Sequence, residues 1–299
     1  MSPNLLRTPD ARFANLPGYS FESNYLDDIA GIEGTRLHYL DEGPADAQEL
    51  FLCLHGNPSW SYLYRKMVPV FTAAGHRTVA PDLPGFGKSD KPADDAVHTF
   101  TYHREVLRAF IVRLDLKNIT LVCQDWGGLL GLTLPMEMPD RFARLLVMNT
   151  TLTTGDEPLS EGFVAWRDWS NTQDDLNVPK LFTRMAPNLS QAEYDAYGAP
   201  FPDKSYKGVL RRFPDMVPEN PEDDGAALSR QARAFWKNDW SGKTFMAIGM
   251  QDPVMGPPTM NKLQTLIRNC PAAYEIADGG HMIPEWGEDI AQKALAAFG

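Results

Sequence analysis

Leu121-Val122-Cys123-Gln124-Asp125-Trp126-Gly127-Gly128-Leu129-Leu130 begins as a buried strand, turns sharply at Asp125 and continues as a helix, with small glycines where strand and helix must approach closely. It has the shape of the Gly-x-Ser-x-Gly elbow, in which a strained turn exposes a nucleophile at a helix N-terminus. Asp125 stands in the Ser position, Gly127 fits the second Gly, and Cys123 replaces the first, where a small residue serves the same packing. An Asp carboxylate, with a reference pKa of about 3.9, is already ionised at neutral pH and needs no base to activate it. The competing role for such an Asp is to cap the helix that follows it.

Two downstream residues favour the nucleophile. Ile276-Ala277-Asp278-Gly279-Gly280-His281 ends a strand-like run in a Gly-rich loop that presents a histidine near the C-terminus, a setting that His38, His55, His76, His98 and His103 lack. Between them, Phe245-Met246-Ala247-Ile248-Gly249-Met250-Gln251-Asp252-Pro253 runs a strand into a loop acid suited to hold the tautomer of His281 and stabilise its cation. The order nucleophile, acid, histidine is that of α/β-hydrolases. Upstream, Leu54-His55-Gly56-Asn57-Pro58 follows a strand and corresponds to the loop that supplies one oxyanion-hole N–H, the other coming from Trp126. Asn57 is also a good turn residue.

Around this constellation, short apolar runs at 50–54, 76–80, 119–123, 145–148 and 244–248 alternate with stretches long enough for helices. The pattern predicts an α/β fold with a mostly parallel sheet covered on both faces. Residues 19–39 predict an antiparallel opening with a hairpin turn at 32–35. Alternation lapses after 151, where Trp, Tyr, Pro and acidic residues and helical pieces at 160–170 and 190–197 predict an inserted cap. The expected division is core 1–151, helical cap 152–229 and core 230–299, closing on an amphipathic helix at 289–298.

Composition narrows the function. With 28 Lys+Arg against 39 Asp+Glu, a formal charge of -11 removes the driving force for binding nucleic acid. The N-terminal stretch has charges and prolines where a secretory signal needs an apolar run, and no segment approaches a membrane span of about 18 apolar residues. A cytoplasmic protein with reduced Cys53, Cys123 and Cys270 is expected. Neither a Cys-x-x-Cys pair nor a His-Glu-x-x-His helix is present, so no metal site is expected. Gly85-Phe86-Gly87-Lys88-Ser89 imitates a phosphate loop, but Asp82 stands where the first Gly of that motif belongs.

His55-Gly-Asn-Pro58, Asp82-Leu-Pro-Gly-Phe-Gly-Lys-Ser-Asp90, Gln124-Asp-Trp-Gly-Gly128, Gly249-Met-Gln-Asp-Pro253 and Gly279-Gly-His281 together resemble the haloalkane dehalogenases. In the cap, Gly162-Phe-Val-Ala-Trp166, Ala199-Pro-Phe-Pro-Asp-Lys-Ser-Tyr206 and Phe235-Trp-Lys-Asn-Asp-Trp240 resemble the subgroup that binds halide with two tryptophans and acts on short haloalkanes. The resemblance spans nearly the whole chain. It implies an α/β-hydrolase fold and SN2 attack by Asp125 on the halogen-bearing carbon. His281 and Asp252 then activate water to hydrolyse the alkyl-enzyme ester. Trp126 and Trp166 are implied as halide donors, with Trp169 one helical turn from Trp166, and Phe163 as a pocket wall. A small apolar halogenated substrate, water, a halide product and no cofactor are implied, and a monomer is expected. Two alternatives stand: an epoxide hydrolase, for which Tyr194, Tyr197 and Tyr206 are candidate activators, and a non-catalytic binding protein on the same fold.

Overall fold

The computed structural model describes residues 4–299, so the first three residues of the N-terminal stretch lie outside the described residues. Eight strands form the main sheet: β1 (Asn24–Leu26), β2 (Leu37–Glu42), β3 (Leu50–Leu54), β4 (Arg77–Pro81), β5 (Ile119–Gln124), β6 (Phe142–Met148), β7 (Lys243–Gly249) and β8 (Tyr274–Ile276). Their order across the sheet is β8-β7-β6-β5-β3-β4-β2-β1. The six from β3 to β8 are parallel, and β2 joins β4 antiparallel at one side.

Every residue of β3 and β5 is buried. Covered on both faces, such strands are largely apolar, with Thr120 and Gln124 the polar residues of β5, which is why they read as nearly unbroken runs. The chain moves outward from β3 to β4 and then returns to the other side of β3 as β5. Ligands of open α/β sheets sit at such a reversal, beyond the carboxyl ends of the strands.

The opening differs from the expected tight hairpin. Leu26 pairs with Leu37, so residues 27–36 form a long connection; the turn at 32–35 lies within it, closed by the Thr35 N–H donating to Ile32 O at 2.9 Å, but does not join the strands directly. Ile29 and Ile32 are buried in it, and burying them against the core wins over extending the strand.

Helices α1 (Val68–Ala73), α2 (Phe100–Arg113) and α3 (Trp126–Gly131) belong to the first core segment. Between β6 and β7 lie α4 (Glu161–Asn171), α5 (Val178–Met185), α6 (Gln191–Gly198), α7 (Gly208–Asp215) and α8 (Ala226–Asn238). Ser160 caps α4 and Ser190 caps α6 with a full capping box, each starting one residue after the expected boundary. The expected cap limit at 229/230 falls inside α8, whose buried Trp236 donates its indole N–H to Leu132 O of the core. Helices α9 (Pro257–Leu266) and α10 (Gly287–Phe298) complete the second core segment.

Candidate active site

Asp125 has φ 52° and ψ -128°, a conformation that costs a non-glycine residue strain. Its backbone is held from both sides: its N–H donates to Asn149 O (3.0 Å), and its carbonyl accepts from Thr150 Oγ1 (2.7 Å) and from the amides of Gly128 and Leu129. Gly127 is required here, because a Cβ at that position would clash with the carbonyl oxygen of Leu54 on β3. The side chain of Asp125 makes no helix-capping hydrogen bond. Capping therefore does not explain this carboxylate.

Its two oxygens have different neighbours. Oδ1 accepts the backbone N–H of Asn57 at 2.7 Å, and Oδ2 lies 3.5 Å from His281 Nε2. Nδ1 of His281 donates to Asp252 Oδ2 at 2.8 Å. Asp252 also accepts Asn149 Nδ2 and the Val254 N–H, both at 2.8 Å. Each group lies just past the carboxyl end of a different parallel strand: Asn57 after β3, Asp125 after β5, Asn149 after β6, Asp252 after β7 and His281 after β8. Sequence reasoning brings Asp125, Asp252, His281 and Asn57 to one place, and they are there, all under a tenth exposed. It misses Asn149, whose signal was a polar residue closing the apolar, buried run Leu145–Met148.

Burial alone would lower the pKa of His281, but Asp252 and Asp125 outweigh it and push it up to about 10. Burial would raise that of Asp252, but the charge and hydrogen bond of His281, with help from Asn149 and Val254, hold it below the usual carboxylate range. A histidine whose folded pKa lies above its ordinary 6.5 stabilises the fold fully below about pH 6.5 and loses that contribution as pH rises through about 10. Urea unfolding is therefore expected to show a stability gap between the wild type and His281→Gln that favours the wild type more at pH 6 than at pH 10.5. A gap that widens with pH would contradict the ion-pair arrangement.

The histidine loop is tied down on both sides. Gln124, the last residue of β5, donates its amide to His281 O at 2.9 Å. Four residues after His281, the Glu285 carboxylate takes two bonds from Arg65 (2.5 and 2.9 Å) and one from the hydroxyl of Tyr197 on α6. Arg65 also reaches Glu193 of α6 at 2.6 Å, so this buried cluster fastens the cap to the loop carrying the histidine.

Above these groups is a cavity of about 400 Å³, lined mainly by apolar side chains, with Asp125, His281, Asn57 and Trp126 at its base and Phe163, Trp166 and Trp169 on α4. Gly162 lets α4 press onto the acid loop, since a Cβ there would clash with Pro253 O. Phe163 is buried, Trp166 half-buried and Trp169 exposed, a gradient along one helix face from interior to mouth. The Trp126 ring packs on Phe213 of α7 (centroids 4.6 Å apart) and on Phe100. Trp60, Trp236 and Trp240 spend their indole N–H groups on protein acceptors, whereas those of Trp126, Trp166, Trp169 and Trp286 make no hydrogen bond among the described residues. Leu181, Arg184 and Met185 of α5 and Pro214 of α7 also line the space and were not singled out by sequence.

The candidate tyrosines point to other work. Tyr194 donates to Ala186 O and Tyr197 to Glu285, and neither they nor Tyr206 line the cavity. In the phosphate-loop look-alike, the Asp82 carboxylate accepts the Lys88 N–H (2.8 Å), the Ser61 N–H (2.7 Å) and His38 Nδ1 (2.7 Å), filling the place a phosphate would need. Among the described residues, no group of three or more His, Cys, Asp or Glu side chains is arranged to hold a metal ion, and no helix is long and apolar enough to cross a membrane.

Residues 49–288 match the family model of the alpha/beta hydrolase fold. The chain is 48% identical to a haloalkane dehalogenase of Psychrobacter cryohalolentis over 98% of this chain and 97% of that one. It is 40% identical to a haloalkane dehalogenase of Mycobacterium marinum, over 98% and 99%. The tetrameric structure of haloalkane dehalogenase DpaA from Paraglaciecola agarilytica superposes with a TM-score of 0.97 at 51% identity, covering 99% of each chain. An elbow bearing a carboxylate that faces a histidine, joined to near-full-length identity with these proteins, shows that the chain belongs to the haloalkane dehalogenases, hydrolases of carbon–halogen bonds built on the α/β-hydrolase fold.

Proposed function

We propose that Asp125 Oδ2 attacks the halogen-bearing carbon of a short haloalkane, giving an alkyl ester and halide, and that His281, oriented by Asp252, then removes a proton from the water that hydrolyses the ester. The observation that carries this assignment is the split of the Asp125 carboxylate, with Oδ1 on the Asn57 N–H and Oδ2 toward His281 inside a largely apolar cavity. Water attacks Cγ of the ester, and the developing charge on Oδ1 is met by the Asn57 N–H, to which the Trp126 N–H adds a second donor. As the first residue of α3, Trp126 has no intrahelical acceptor for that N–H. One turnover of unlabelled enzyme in oxygen-18 water tests the scheme: label enters the Asp125 carboxylate, and label found only in the alcohol would exclude the ester.

The leaving halide is received by the indole N–H groups of Trp126 and Trp166. An indole is an uncharged donor, so it stabilises halide without forming an ion pair that also neutralises the nucleophile. Both rings line the cavity with N–H groups not spent on protein acceptors, which supports this role; Trp169 shares both features, so depth decides between the two cap residues. Trp166 is favoured over Trp169 because it lies deeper along α4. Bromide titrations followed by intrinsic fluorescence are expected to weaken about a hundredfold in Trp126→Phe and Trp166→Phe and by less than about threefold in Trp169→Phe. A larger loss in Trp169→Phe than in Trp166→Phe would reverse the assignment.

The cavity volume suits small apolar halides. Three free thiols support a cytoplasmic setting. A monomer is proposed for the chain in solution; light scattering decides between that state and a tetramer like the one described for the Paraglaciecola protein.

A further inference from the structure

Gln124 immediately precedes the nucleophile, is fully buried, and has no part in the steps above. Its amide nitrogen lies 2.9 Å from His281 O and 3.5 Å from His281 Nε2, the nitrogen that must take a proton from water. Exchanging the amide N and O would set two oxygens against each other at the first of these contacts, so the donor end is the one that faces the histidine. The other end, Oε1, is buried with no hydrogen-bond partner among the described residues. A residue present only for packing has no reason to bury an unpaired acceptor, whereas one kept for its N–H group does.

The charged groups facing the His281 ring are Asp252, from the loop after β7, and Asp125, from the elbow; the cation sharing the cavity is Arg184 on α5. In the resting site Asp125 favours a proton on Nε2. An amide N–H beside the same nitrogen favours the unprotonated form, because two donors cannot share one hydrogen bond. We propose that Gln124 is a positioning residue for ester hydrolysis: once Asp125 is esterified and its charge is gone, the Gln124 amide holds His281 in place and keeps Nε2 free to accept a proton.

Because this role presupposes Asp125 as nucleophile and His281 as base, the test includes both. Rapid-mixing halide release measures alkylation, and intact-protein mass measures the alkyl-enzyme, for a short bromoalkane between pH 5 and 9. In Gln124→Met the halide burst is expected within about threefold of wild type. Ester hydrolysis is expected to slow about tenfold, the alkyl-enzyme to accumulate, and the acid limb of the hydrolytic step to move up by about one pH unit. Gln124→Glu, which keeps the shape and offers acceptors only, is expected to move that limb further and carries the test if the Met variant does not fold. Equal losses in burst and hydrolysis with an unmoved limb would reduce Gln124 to a structural residue, and wild-type behaviour in both variants would remove its role. Failure of any ester to form on Asp125, even in His281→Gln, would instead overturn the nucleophile and base assignment.

Discussion

Asp125→Asn is expected to lower steady-state halide release from a short bromoalkane by about ten-thousandfold or more, the scale seen when an enzyme nucleophile is removed. The amide keeps an oxygen able to accept the Asn57 N–H now bonded to Oδ1, and the backbone ties to Asn149 and Thr150 do not involve the side chain. The elbow should therefore fold as before. What disappears is the anion, and an uncharged amide is far too weak a nucleophile to displace halide. Bromide binding should survive or improve, since a negative charge near the halide site is gone. Substantial turnover by a preparation shown by mass to retain Asn at 125 would remove Asp125 from the mechanism.

The same residue marks how far sequence reaches. The elbow and the acid are legible because each follows a strand whose closing residues are buried and apolar, so that an apolar run gives way to a polar residue; the histidine, which follows the short edge strand β8 with its exposed Glu275, is legible from its Gly-rich loop and its place in the order. β3 and β5 show this most clearly, with no exposed position in either. Within the elbow itself, capping α3 and facing a partner use the same residue at the same turn, and it is the later order of Asp252 and His281 that favours the second. Only the landing point of the loop after β8, far along the chain, decides it. Gln124 and Asn149 were hidden for the same reason: their contacts to His281 and Asp252 span 157 and 103 residues. On α4, helical spacing puts Phe163, Trp166 and Trp169 on one face but gives no depth. The contact of Gly162 with the acid loop fixes how close α4 sits, and the burial of the three side chains gives their depth.

His281→Gln separates the two chemical steps. Attack by Asp125 needs no base, so this variant is expected to release about one halide per active site and then stall, with the protein heavier by the alkyl group. Hydrolysis should slow about a thousandfold, within the range for loss of a general base. In the resting wild-type site His281 is held as a cation, with a pKa near 10, by carboxylates on both of its nitrogens. A cation there cannot accept a proton from water. Alkylation converts the carboxylate 3.5 Å from Nε2 into a neutral ester and leaves Asp252 as the one carboxylate on the ring, so the hold on the proton weakens when a base is needed. Alkylation in the wild type should accordingly vary little with pH between 6 and 9, while hydrolysis falls as the medium becomes acidic enough to keep His281 protonated in the ester. A His281→Gln variant that lost the burst together with steady-state turnover would show that the histidine serves the first step as well, and would break the division of labour between carboxylate and imidazole.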